Sequence, residues 1–200
     1  MRQTLSNVAD VRQKIEAGRK LLLAGDEDVL RQLPKGDWIG GTIPYFISSE
    51  QGGMVSRELI FATDITDIAP SFEISTYDQD SLARVYSEGP KHGFSFILLP
   101  AASKTHMSFA LNGPNYKDFG VRPLIGWVAG VHLSDLGKKT PKVMNGRTGE
   151  EHGHKYPRHS TSASIRHLSG FYRGRQCLSL SNPIRERSGA NHRKPGAQNS

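Results

Sequence analysis

A single cysteine, Cys177, leaves the chain unable to close an internal disulfide, which excludes a disulfide-stapled scaffold and suits a reducing compartment. No apolar run approaches the ~18 residues that span a bilayer. The N-terminus, Met1-Arg2-Gln3-Thr4-Leu5, lacks the apolar stretch of a secretory signal. The cytoplasm is therefore the expected location, with no membrane partner. Apolar residues are scarce too, at 36%, where about 45–50% including glycine is ordinary.

The scarcity is local. Residues 1–150 hold 17 basic and 17 acidic side chains, a balance of zero. Residues 151–200 hold nine basic residues against Glu151 and Glu186, and so carry the whole net charge of +7. After residue 150 there is no Asp and no Val, while eight Ser, seven Arg and five of the chain's eight His gather there. Such a composition cannot bury enough apolar surface to offset about 1–2 kcal/mol per residue of backbone ordering. The expectation is one domain over 1–150 and a disordered basic tail over 151–200.

Three readings of that tail compete, taken in order of weight. Translation out of frame past about residue 150 explains the loss of Asp and Val together. A basic arm would bind nucleic acid or anionic lipid weakly, through phosphate neutralisation alone. A metal tract through His152, His154 and His159 lacks the carboxylate or cysteine partners that preorganise a site.

Within 1–150 the patterning is strong. Ser6 or Asn7 can cap a helix carrying Val8, Val11 and Ile15, with Gly18 near its end. Leu21-Leu22-Leu23 is too short for a helix and suits a buried strand. Asp26 caps a second helix running to Leu33 before Pro34, and Trp38-Ile39 enters a strand through Gly40-Gly41-Thr42 that Pro44 stops. Gly52-Gly53 marks a turn, Leu59–Ile65 a strand, and Phe72, Ile74 and Thr76 an alternating one. Asp78 or Asp80 caps a helix through Leu82, Val85 and Tyr86 that ends at Gly89-Pro90. Phe94–Leu99 is the strongest strand; a helix from Ser103 to Leu111 follows, then the apolar run Leu124–Val131 and a last strand, Pro141–Met144, before Asn145-Gly146. Strands alternating with helical stretches of about ten residues point to an α/β fold, a mixed sheet with crossover helices. Trp38–Thr42, Leu59–Ile65, Phe94–Leu99 and Leu124–Val131 are expected in one central sheet, with Phe96, Leu98, Ile125 and Val128 buried.

Three segments are candidates for chemistry. Around Gly40, Gly41, Thr42 and Tyr45, glycines allow close backbone approach to a ligand and two hydroxyls stand near; a tight turn is the plainer explanation. Ser103 and His106 follow the strongest strand, where ligands of open α/β sheets gather, although Ser103 is also an ordinary helix N-cap. Gly126 and Trp127 combine a small residue with a ring that can floor a pocket or simply fill a core. None of these matches GxGxxG or GxxxxGK[ST], and residues 1–150 contain no HExxH, so neither a cofactor nor a metal is expected.

The order WIGGTIPYF, Gly52-Gly53, LIFATDI, FSFILLP and PLIGWVAGVHLSDLGKKTPKVMNG resembles the N-terminal half of FIST-type sensory domains. It is closer still to a bacterial group carrying GGTIPYF and GW-AGVHL-DLGK-TPKV strings. Gly40-Gly41-Thr42, Ile97-Leu98-Leu99, Gly126 with Gly130, and Val143-Met144-Asn145-Gly146 fall at the corresponding places, over about residues 20–150. The resemblance implies a non-enzymatic domain that binds a small molecule, an amino acid or small organic acid, and passes the signal on. It also implies further strands after Gly149, where this chain has its basic tail, so the domain is expected to be incomplete. Two rivals stand beside this reading: a hydrolase or transferase using Ser103 and His106, and nucleic-acid binding through the tail.

Overall fold

The computed structural model describes residues 2–48, 52–153 and 165–171. The chain opens with β1 (Arg2–Ser6) and α1 (Val8–Glu16), whose Asn7 side chain accepts from the Asp10 amide at 2.9 Å. Val11 and Ile15, four apart on one helix face, are buried. Strand β2 (Leu21–Gly25) follows, then the short α2 (Glu27–Leu30) capped by Asp26, then β3 (Trp38–Thr42). β2 and β3 run parallel, so α2 is a crossover helix, and it ends before Leu33, to which the sequence pattern ran. β2 and β3 are almost wholly buried, because helices cover one face of their sheet and a second sheet covers the other.

Pro44 ends β3, and the chain leaves this sheet for a separate hairpin, β4 (Tyr45–Ser48) and β5 (Gly52–Val55). Gly52 and Gly53, read as a turn, begin β5; only Gly52 keeps a left-handed φ, +68°. The chain then continues through β6 (Ile60–Asp64), β7 (Ser71–Tyr77), β8 (Gly93–Pro100), α3 (Lys104–Asn112), β9 (Leu124–Ala129), β10 (Lys142–Asn145), β11 (Glu151–Gly153) and β12 (Ile165–Phe171).

These strands form two large sheets where one was expected. The first has the order β1-β6-β2-β3-β10-β11, mixed, with β2 and β3 as its parallel pair. The second has the order β7-β12-β8-β9, with β8 and β9 parallel across α3, a second crossover helix. Trp38–Thr42 and the strand after Leu59 belong to the first sheet, and Phe94–Leu99 and Leu124–Ala129 to the second. Alternation of apolar residues says which face of a strand is buried. It does not say whether two strands lie side by side or face to face.

The packing is layered. Val11, Ile15, Leu21, Leu23, Leu30 and Trp38 fill the space between α1, α2 and the first sheet. Leu22, Ile39, Val143, Phe96, Leu98 and Ala129 fill the space between the sheets. Tyr77, Leu82, Val85, Tyr86, Ile97 and Leu99 form a third cluster on the far face of the second sheet, joined by Phe109 of α3. Phe96 and Leu98 are buried as expected. Ile125 and Val128, however, are 54% and 38% exposed, because β9 is an edge strand with nothing beyond it among the described residues.

The helix expected from Asp78 is a single 3-10 turn, Leu82–Arg84. The Asp78 carboxylate accepts from the amides of Asp80 and Ser81 and from the Ser81 hydroxyl, which tightens the chain into a turn.

The basic segment also departs from expectation where it is described. β11 pairs with β10, and β12 lies between β7 and β8, paired antiparallel with both. A strand flanked on both sides is held by main-chain hydrogen bonds that any residue type but proline can make, so composition is a poor guide to it. His154 and His159 lie outside the described residues. No helix among the described residues is long and apolar enough to cross a membrane.

Candidate functional site

Where the two sheets part beside the hairpin, they leave an open cleft of about 480 Å³. Leu22 and Ala24 of β2 and Phe61 and Thr63 of β6 form its floor. Register explains why: Leu22 pairs with Thr63 and Ala24 with Phe61, so all four side chains project from one face. Phe96, Ile125, Gly126 and Trp127 form the opposite wall, and Ile43, Tyr45, Phe46 and Ile47 close one side. Phe46 stacks on Phe61 with centroids 6.2 Å apart and planes at 12°. Among the described residues, none that lines it is charged.

Of the eight residues singled out in the sequence, Tyr45, Gly126 and Trp127 line this cleft. Tyr45 is fixed at the rim: its hydroxyl accepts from the Leu133 amide at 2.9 Å and its ring stacks on His132 at 5.5 Å. Gly126 is required by proximity, since a Cβ there would run into the main-chain carbonyl of Ile97. Gly41 stands behind the wall. A Cβ on it would come within 2.9 Å of Trp127 Nε1, so its bareness makes room for the indole.

Gly40, Thr42, Ser103 and His106 do not line the cleft. Gly40 is next to Gly41 in a strand and therefore faces the other way, where a Cβ would press on Trp38 at 3.2 Å. Thr42 is spent on structure: its hydroxyl donates to the Gly130 carbonyl at 2.8 Å and accepts from the Lys142 amide at 2.9 Å. Ser103 is fully buried as the cap of α3, its hydroxyl accepting from the His106 amide at 3.0 Å. The His106 ring accepts from the Ala102 amide through Nδ1 and makes no bond to the Ser103 hydroxyl. A hydroxyl nucleophile needs a base at that hydroxyl and an orienting third group, and neither is there among the described residues.

Sequence reading missed the floor residues Leu22, Ala24, Phe61 and Thr63, together with Phe46 and Phe96. The signal present was the spacing of two in Leu22/Ala24 and Phe61/Thr63, which marks a shared face but not what that face meets.

Charge lies outside the cleft. Beyond Tyr45, Arg57 pairs with Asp135 at 2.8 Å, and Lys139 bridges Asp26 at 3.5 Å and Asp28 at 3.1 Å. The Arg57 hydrogen bond holds the Asp135 carboxyl below its ordinary range. Arg31 grips Glu151 through two bonds, at 2.7 and 2.8 Å, and lowers its pKa, while Lys142 ties Glu27 at 2.6 Å. These pairs fasten α2, β10 and β11 together. Burial and the hydrogen bond to Glu88 push the Tyr77 hydroxyl up, on the far side of the second sheet. Among the described residues no cluster of three His, Cys, Asp or Glu side chains is placed to hold a metal ion.

Fold and site together define an α/β protein of two stacked sheets with an apolar inter-sheet cleft and no assembled catalytic group among the described residues. The chain belongs to the family of unknown function DUF6976, which matches residues 6–156. No curated protein and no solved structure matches it.

Proposed function

We propose that the chain is a small-molecule-binding domain whose ligand occupies the inter-sheet cleft, and that it acts by binding rather than by catalysis. One observation carries the reading: residues distant in sequence, Leu22–Ala24, Tyr45–Phe46, Phe61–Thr63 and Gly126–Trp127, converge on one concavity of about 480 Å³. That volume lies in the ordinary range for ligand sites, roughly 300–1,000 Å³, and such sites are mostly apolar with few polar groups. The sensory part of the role, in which occupancy is passed on, rests on the resemblance to FIST-type domains. The Tyr45 rim supports it physically, because one side chain touches both the cleft and, through Leu133 and His132, the segment that carries Asp135.

A thermal-shift screen of amino acids, small organic acids and neutral aromatics tests the proposal. A true ligand at a hundredfold excess over its Kd adds about 2.7 kcal/mol of apparent stability. Ala24→Leu, which narrows the floor, abolishes the shift in a variant that stays folded by circular dichroism. Met107→Ala, on the exposed side of α3, leaves the shift intact. A shift untouched by Ala24→Leu removes the cleft as the site.

A further inference from the structure

The cleft wall contains a polar group whose hydrogen bond is unmade. The Trp127 indole N–H is shielded from solvent and meets no acceptor among the described residues. The other tryptophan shows the usual arrangement: Trp38 Nε1 donates to the Pro34 carbonyl at 2.8 Å. A buried donor left without an acceptor is unfavourable, so a molecule that brings an acceptor to it gains affinity. Its Nε1 stands beside the bare backbone of Gly41, which pairs with Ala24 of the cleft floor.

The remaining lining narrows the chemistry. Phe46, Phe61 and Phe96 offer flat apolar walls, and among the described residues none that lines the cleft is charged to meet a carboxylate or an ammonium group. A charged ligand would lose its hydration there without a partner among them, which is strongly unfavourable.

Building on the reading of the cleft as a ligand site, we propose that its occupant is a neutral, planar aromatic molecule bearing one carbonyl-type acceptor, which takes the Trp127 indole N–H. The rings of Phe46 and Phe61 hold the plane of the molecule. The indole turns toward the acceptor on binding, so Trp127 both reports occupancy and selects for an acceptor. This class differs from the amino acids and organic acids implied by the FIST resemblance.

The test uses the uniformly 15N-labelled full chain, which reports both tryptophan indoles and the backbone amides, and three probes of similar size: acetophenone, benzoate and ethylbenzene. Acetophenone is expected to move the Trp127 indole proton downfield and leave that of Trp38 in place. It should bind about fivefold or more tighter than ethylbenzene, the worth of one recovered hydrogen bond, and tighter than benzoate by at least as much. Trp127→Phe, which removes the donor and shortens the ring, should erase the preference for acetophenone over ethylbenzene. Benzoate binding more tightly than acetophenone, or ethylbenzene binding equally well with the Trp127 indole unmoved, overturns the proposed class. In either of those outcomes, shifts at the Ala24, Phe46 and Gly126 amides would leave the cleft standing as a ligand site. Probes that perturb none of these amides overturn the proposed class, and an empty thermal-shift screen alongside them takes the ligand site with it.

Discussion

Replacing Thr42 by valine removes one oxygen and almost no volume, and it strikes the joint between the two sheets. Thr42 is 3% exposed. Its hydroxyl is at once donor to the Gly130 carbonyl, just past the end of β9, and acceptor from the Lys142 amide at the start of β10. Valine keeps the shape and strands both main-chain groups. A fully buried group so stranded costs about 1–3 kcal/mol. Gly130 and Lys142 are only partly covered, so water recovers some of that, and the expected loss is about 2–3 kcal/mol in all. The amide of Gly130 still donates to the Thr42 carbonyl at 2.6 Å, which keeps the sheets in register. Thr42→Ser preserves both hydroxyl bonds and loses one methyl, about 0.8 kcal/mol. Urea unfolding at pH 7 measures the difference, with an unchanged m-value showing that the unfolded state is the same. A valine variant as stable as the parent, or more stable than the serine variant, would refute the assignment of Thr42 as a structural tie and return its hydroxyl to the list of possible ligand contacts.

Other outcomes follow from the same geometry. Ser103→Ala should cost about 1 kcal/mol as a lost helix cap and leave ligand binding unchanged; loss of binding with stability intact would place α3 in the site. Leu98→Ala, fully buried between the sheets, should cost about 2–5 kcal/mol, read by the same unfolding assay, and a loss under 1 kcal/mol would contradict the two-sheet packing. The carboxyls of Asp64, Asp78 and Glu151 titrate below their ordinary range. For Asp64, burial raises the pKa but is outweighed by hydrogen bonds from Thr66 and Arg19. For Asp78 the cause is the Ser81 hydroxyl and amide, and for Glu151 it is Arg31. The unfolded chain therefore binds protons first as pH falls. The stabilisation is fully present above the unfolded values, near pH 4, and drains away below them. Urea midpoints should fall between pH 5 and pH 3, and less steeply in Arg31→Ala; a midpoint that rises on acidification would contradict this.

The sequence made individual elements legible wherever a local rule was sufficient. Asn7, Asp26 and Ser103 cap their helices because an oxygen on a short side chain can reach the next free amides. Leu21–Leu23 and Phe94–Leu99 are strands buried on both faces, and their continuous apolar runs said so. What local rules could not carry was the division into two sheets, since Phe96 meets Leu22 and Val143 across a gap and not along a ladder. The site was half legible for the same reason. Glycines drew attention to Gly126 and Trp127, which line the cleft, but adjacent glycines in a strand face opposite ways, so Gly40 belongs to the helix-side core. Ser103 and His106 share a helix face as read, yet capping consumes the hydroxyl. β12 was illegible because a strand held between two others owes its place to main-chain bonds.

The central claim is that a small molecule enters between the two sheets. Amide chemical-shift mapping of the labelled full chain, titrated with whichever compound raises its melting temperature, tests this most directly. The account predicts perturbations that cluster on Leu22, Ala24, Tyr45, Phe46, Phe61, Gly126 and Trp127 and spare Lys104–Asn112. Perturbations confined to α3 around Ser103 and His106, with the cleft residues unmoved, would contradict it.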